Sequence, residues 1–93
     1  MSDLLSEASI KEKISSLTGW ELEGKSLRQT KKLSNFVEAI AFVNKLVEPA
    51  EAANHHPDIS ISYNKVTINL TSHDAGGLTQ KDFDLAKVIS QIG

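Results

Sequence analysis

Residues 58–71 read DISISYNKVTINLT, and the choice of fold turns on them. Ile59, Ile61 and Tyr63 fall on one side of the first run. Val66, Ile68 and Leu70 fall on one side of the second, with Thr67, Asn69 and Thr71 on the other. A period of two residues marks an extended chain, whose successive side chains leave on opposite faces. Asn64-Lys65 between the runs suits a tight turn, so the stretch is expected to form an antiparallel hairpin. Pairing Ile59 with about Leu70 brings Pro57 and Ser72 to the same end of that hairpin.

Upstream, Phe36, Val37, Ile40, Val43, Leu46 and Val47 form a wide apolar helical face, suited to packing on a sheet. Asn35 and Glu38 have the spacing of an N-cap and N3 pair. Pro49 lacks the amide proton that an inner helical turn needs, so a kink or a restart is expected there. Alanines continue the helix to about Asn54, and His55-His56-Pro57 ends it, because the residue before proline avoids the α region. Further upstream, WELE and SLRQTKKL flank the turn signal Glu23-Gly24-Lys25 and read as a first hairpin with one face in water. Ile10, Ile14 and Leu17 make one stripe of a helix over Glu7–Leu17, capped by Ser6. Downstream, the loop SHDAGGL leads to Thr79, which caps a last helix with Asp82 at N3 and Phe83, Ala86, Ile89 and Ile92 inward. The order is α-β-β-α-β-β-α. This is an α+β fold, a two-layer sandwich with helices on one face of the sheet, expected to be one domain over residues 1–93.

Composition narrows the function. The chain has 93 residues, 40% hydrophobic and 24% charged, which fits a globular protein. It has no cysteine, so disulfides, thiolate metal sites and a cysteine nucleophile are excluded. The net charge of −2 argues against electrostatic binding of nucleic acid, and the basic run KSLRQTKK reads as a solvated strand face. No apolar run approaches the roughly 20 residues of a membrane span. The first residues have scattered charges and no hydrophobic block, so a cytoplasmic location is expected.

All three histidines lie between residues 51 and 74, as the pair His55-His56 and the single His73. The hairpin register makes the HHP corner and the SHD loop neighbours, so the three imidazoles are expected to share one mouth. Imidazole exchanges protons near neutral pH, which suits a reaction that protonates one atom and deprotonates its neighbour. Glu51, Asp58, Asp74 and Asp82 offer carboxylates to orient the rings, and Glu51 stands four residues before His55 on the same helical face. Taken singly, each residue has a plainer reading. A histidine at a helix end suits the dipole there, Asp82 is a helix cap, Glu51 is a solvated surface charge, and Trp20 is a core anchor before it is a pocket wall. Three histidines could also hold zinc with an open position. Adjacent residues at a helix end point about 100° apart, which makes joint ligation by His55 and His56 awkward.

The spacing of Glu51, His55-His56-Pro57, Tyr63, His73 and Asp82 resembles the signature of the pterin-4a-carbinolamine dehydratases. The stretches NHHPDI, YNKV, LTSHDAGGLT, GWELEG and SNFVEAIAFVNKL strengthen the likeness, which covers nearly the whole chain. The resemblance implies a four-stranded antiparallel sheet and a dimer, or a dimer of dimers, joined through sheet edges and helices. It implies loss of water from a 4a-hydroxytetrahydropterin, the species that aromatic amino acid hydroxylases leave behind, with no cofactor and no metal. By the same likeness, His55 and His73 would handle protons and His56 would position the pterin. Pro57, Ser72, His73, Asp74 and Ala75 would line the ring, and Glu51 and Asp82 would support the site, with Trp20 behind it. Two features depart from the pattern: Pro49 close before Glu51, and Ile59 where some relatives carry an aromatic residue. Two alternatives accompany this reading: a dimerisation or coactivator module that uses a helical surface, and a dehydratase acting on another pterin.

Overall fold

Pairing of β3 (Asp58–Ser62) with β4 (Lys65–Leu70) sets Ile59 opposite Ile68 and Ile61 opposite Val66. The computed structural model describes residues 4–92, so the expected domain 1–93 extends past both ends of the described chain. The turn is Tyr63-Asn64, one residue earlier than the sequence suggests, and Tyr63 takes a positive φ of 55° to close it. An outside anchor accounts for the shift. The Leu33 amide donates to the Asn64 carbonyl (2.7 Å), and the Asn64 side chain donates to the Leu33 carbonyl (2.9 Å), so the turn is tied to the end of β2 (Ser26–Lys32). Ile59 therefore faces Ile68 and not Leu70.

The remaining elements are α1 (Glu7–Ser15), β1 (Glu21–Glu23), α2 (Phe36–Ala53) and α3 (Gln80–Ser90), which gives the expected order. The antiparallel sheet has the order β1-β2-β4-β3, so the two hairpins meet along β2 and β4. Leu27 pairs with Leu70 there, and Leu27, Val66, Ile68 and Leu70 are completely buried. Phe42 and Leu46 of α2, with Phe83, Leu85, Ala86 and Ile89 of α3, complete the core.

Helix α2 keeps part of its expected face, with Leu46 buried and Val43 packed against the core, and departs from the rest. Its buried residues are Ala39, Phe42, Leu46 and Ala50, while Phe36, Val37 and Val47 are exposed. The small alanines lie inward because they allow close approach; the apolar periodicity had placed Phe36, Val37 and Val47 there instead. The helix also runs through Pro49 as one element, where a kink or restart was expected. Leu46 and Ala50 flank the missing amide in the buried stripe, and their packing holds the helix together across it.

The end of α2 carries the first site residues. Asn54 adopts the left-handed conformation (φ 49°), its amide donates to the Glu51 carbonyl, and the His55 amide donates back to the Ala50 carbonyl (3.1 Å). These two bonds form a Schellman motif, which turns the chain sharply out of the helix. Helical spacing therefore no longer governs residues 55 and 56.

Candidate active site

The geometry centres on Asp82, at the third position of α3 and completely buried. A buried carboxylate needs partners on both oxygens. One oxygen, Oδ1, lies 2.5 Å from His55 Nε2. The other, Oδ2, accepts from the Ser72 hydroxyl (2.9 Å) and from the Thr79 amide (2.8 Å). Ser72 Oγ also lies 2.9 Å from Thr79 Oγ1. Since the Ser72 proton goes to Asp82, Thr79 donates to Ser72, and the chain of donors runs Thr79 to Ser72 to Asp82. An ionised carboxylate only accepts, so His55 meets it with an Nε2 proton. Nδ1 is then the nitrogen left to exchange protons. The His55 side chain is 12% exposed, which leaves the ring mostly enclosed with a small outlet. Among the described residues, every buried side-chain nitrogen and oxygen has a partner.

The expected pairing of Glu51 with His55 does not form. Glu51 Oε2 lies 2.6 Å from His56 Nε2, and both side chains are more than half exposed (68% and 57%). The left-handed Asn54 explains the exchange of partners: it swings His55 beneath α3 and leaves His56 beside the helix it has just left. Glu51, His56 and Pro57 line a cleft of about 240 Å³ between α2 and β3, whose other walls include Val43, Val47 and Ile59. The cleft is apolar except for the Glu51–His56 pair at its rim.

His73 and Asp74 are exposed, and among the described residues neither side chain is hydrogen-bonded. Their backbone is held by hydrogen bonds within the loop. The Ser72 carbonyl accepts from the Ala75, Gly76 and Gly77 amides (3.1, 3.0 and 3.3 Å), and the Ser72 amide donates to the Gly77 carbonyl (3.0 Å). Gly76 takes a positive φ of 79°, which closes this tight loop. His73 thus begins one residue from the Asp82 network. Trp20 lies in the core with its indole proton on Ser90 Oγ (2.8 Å), and it does not line the cleft. The candidates divide into a buried network of His55, Ser72 and Asp82, a cleft wall of Glu51, His56 and Pro57, and a loop carrying His73, Asp74 and Ala75.

The α-β-β-α-β-β-α frame that holds this site has known counterparts. The profile of the family described as pterin 4 alpha carbinolamine dehydratase matches residues 3–92. The chain belongs to that family. A protein of Trichormus variabilis, provisionally named a pterin-4-alpha-carbinolamine dehydratase, is 66% identical over 92 residues, with 99% of each chain covered. A similarly named protein of Roseiflexus is 55% identical, again with 99% of each covered. Among solved structures, a transcriptional coactivator/pterin dehydratase from Brucella melitensis superimposes with a TM-score of 0.89 at 29% identity, covering 95% of this chain and 96% of the other. A pterin dehydratase-like RuBisCO assembly factor of the alpha-carboxysome shares the fold at 21% identity, with a TM-score of 0.67 and coverage of 80% and 88%.

Within this pterin dehydratase fold, two parts of the site escaped the sequence reading. Thr79 counted only as a helix cap, and the Ser72 side chain counted as ring lining, whereas it points into the protein toward Asp82. A signal was available: a serine and a threonine bracket the Gly-Gly loop, and the N3 carboxylate of the following helix has one oxygen more than the cap requires.

Proposed function

We propose that this chain dehydrates a 4a-hydroxytetrahydropterin to the quinonoid dihydropterin by histidine acid-base catalysis. The observation that carries the reading is the His55–Asp82 contact. It turns a mostly enclosed imidazole so that Nδ1 is its exchangeable nitrogen, in a network one residue from His73. Family membership supplies the substrate class.

The chemistry needs one acid and one base. An imidazolium protonates the hydroxyl on C4a, which leaves as water while the N5 lone pair forms the C4a=N5 double bond. A neutral imidazole removes the proton from N5. One proton is given and one taken, so the enzyme returns to its starting state once the two rings exchange through solvent. Each group contributes about 10²- to 10⁴-fold. His55 and His73 take these two roles. His56, oriented by Glu51, positions the pterin, with Pro57 as an apolar wall. Backbone groups of the loop from Ser72 to Ala75 meet the hydrogen-bonding edge of the ring. Such a substrate arises in the cytoplasm from an aromatic amino acid hydroxylase, and removing its 4a-hydroxyl supports tetrahydropterin recycling.

The test is rapid mixing with freshly generated 4a-hydroxytetrahydropterin, followed by the absorbance of the quinonoid product, with and without chelator. Acceleration unchanged by chelator is expected, and His55→Ala and His73→Ala should each remove most of it. If both variants are folded and turn over at the wild-type rate, the assignment fails.

A homodimer accompanies this reading. The two sheet edges differ. β1 has three residues and carries Glu21 and Glu23, whereas β3 has five, with no charge between Ile59 and Ser62 and no strand on its outer side among the described residues. Uncharged edges invite pairing. A second copy of β3, with the exposed Val47, Ile59 and Ile61 beside it, would continue the sheet. The same exposed face favours the alternative of a protein-binding module. A partner that still binds after all three histidines are replaced would support that alternative.

A further inference from the structure

We propose that Ser72 is a positioning residue that sets both proton-handling histidines at once, His55 through the Asp82 carboxylate and His73 through the backbone of the loop. The assignment of roles to those histidines rests on the dehydratase reading; the geometry does not. Ser72 is buried, and its hydroxyl receives from Thr79 and gives to Asp82 Oδ2. Its amide and carbonyl close the loop from residue 72 to residue 77. One residue therefore anchors a side-chain chain that ends on His55 and a backbone turn that begins with His73.

The physical consequence concerns where the His55 proton resides. Two donors on Oδ2, the Ser72 hydroxyl and the Thr79 amide, hold the carboxylate in one rotamer and leave Oδ1 facing Nε2. Without the hydroxyl, Oδ2 keeps only the amide, and the carboxylate is free to turn about that single bond. Oδ1 then swings away from the imidazole for part of the time. The neutral ring is no longer obliged to keep its proton on Nε2, and Nδ1 is no longer always the open nitrogen. A hydroxyl that served only to satisfy Thr79 would leave the ring unaffected.

Nitrogen NMR of the imidazoles in alkaline buffer, on the ¹⁵N-labelled full chain without substrate, separates these cases. Wild type should show His55 with its proton on Nε2 and a bare Nδ1. Ser72→Ala should show a mixture of the two tautomers. Its kcat should fall about tenfold, within the roughly 10²- to 10⁴-fold that an acid-base group supplies, with KM changed by less than about twofold. Ser72→Thr, which keeps the hydroxyl, should restore both the tautomer and kcat. If Ser72→Ala does not fold, Ser72→Cys keeps the volume with a weaker donor and is read in the same way. A folded variant with the wild-type tautomer overturns the proposal, whether or not kcat falls. So does a wild-type His55 protonated on Nδ1. A wild-type chain without dehydratase activity overturns the functional reading alone, because the tautomer comparison needs no substrate.

Discussion

Asp82 combines two tasks that two substitutions can separate. Asp82→Ala strips acceptors from the Thr79 amide, the Ser72 hydroxyl and the His55 ring together. The amide is fixed at the helix start and cannot turn toward water, whereas the ring, partly open, can recover a partner. An orphaned buried donor costs about 1–3 kcal/mol and a lost cap about 1 kcal/mol, and these overlap at Thr79. A loss of about 2–4 kcal/mol follows, which lowers Tm by about 10–25 °C in a domain of this size. Asp82→Asn keeps an oxygen for Thr79 and Ser72 but offers an NH₂ group to His55. Its stability loss should stay near 1 kcal/mol. The ring must then accept through Nε2 and carry its proton on Nδ1, so turnover should fall by about 10²-fold or more. Urea melts followed by circular dichroism, at several chain concentrations to separate the contribution of the proposed dimer, measure the first quantity. Rapid-mixing dehydration measures the second. If Asp82→Asn turns over pterin like wild type, or Asp82→Ala melts within about 1 kcal/mol of it, the central place given to this carboxylate is wrong.

Three further outcomes are expected. Glu51→Gln, at an exposed pair, should change stability by less than about 0.5 kcal/mol and raise KM for the pterin; an unchanged KM would take the Glu51–His56 pair out of substrate binding. Leu27→Ala, at a completely buried site opposite Leu70, should cost about 2–5 kcal/mol in urea melts, and a cost below about 1 kcal/mol would move the centre of the core elsewhere. Ile61→Lys places a charge in the uncharged Ile59–Ser62 stretch of the β3 edge and should shift the proposed dimer toward monomer in sedimentation; a dimer that persists would locate the interface away from β3.

Much of this arrangement could be read in the residues themselves. The alternation through β3 and β4, the caps Ser6 and Asn35 and the stop at His55-His56-Pro57 all reflect local chemistry, and each element lies within a few residues of its expected place. What escaped depends on residues distant in sequence. The turn moved because Leu33 holds Asn64, and α2 turned its alanine stripe inward because of what packs beneath it. The histidine partners were exchanged for a similar reason. A rule for helix neighbours joined Glu51 to His55, but one left-handed residue ended the helix first and delivered His55 to a carboxylate 27 positions away. The SHD loop illustrates the opposite case: its glycines announced a tight turn, and the direction of the serine was legible only in the spare oxygen of the Asp82 carboxylate ten residues on.

The sheet order β1-β2-β4-β3 also bears on how the chain folds. Each hairpin is local and can zip within microseconds. The seam between β2 and β4 has to wait, because it closes a loop containing all of α2. The late, entropy-limited event in folding should therefore be the docking of two preformed ribbons, with α2 as the clasp. Truncations at the seam, at Leu27 or Ile68, should slow refolding in stopped-flow mixing, and so should truncations near the Tyr63 turn, because that hairpin has to be in place before the ribbons dock. The site inherits this order, since Asp82 can receive His55 only after α2 and α3 have both settled onto the completed sheet.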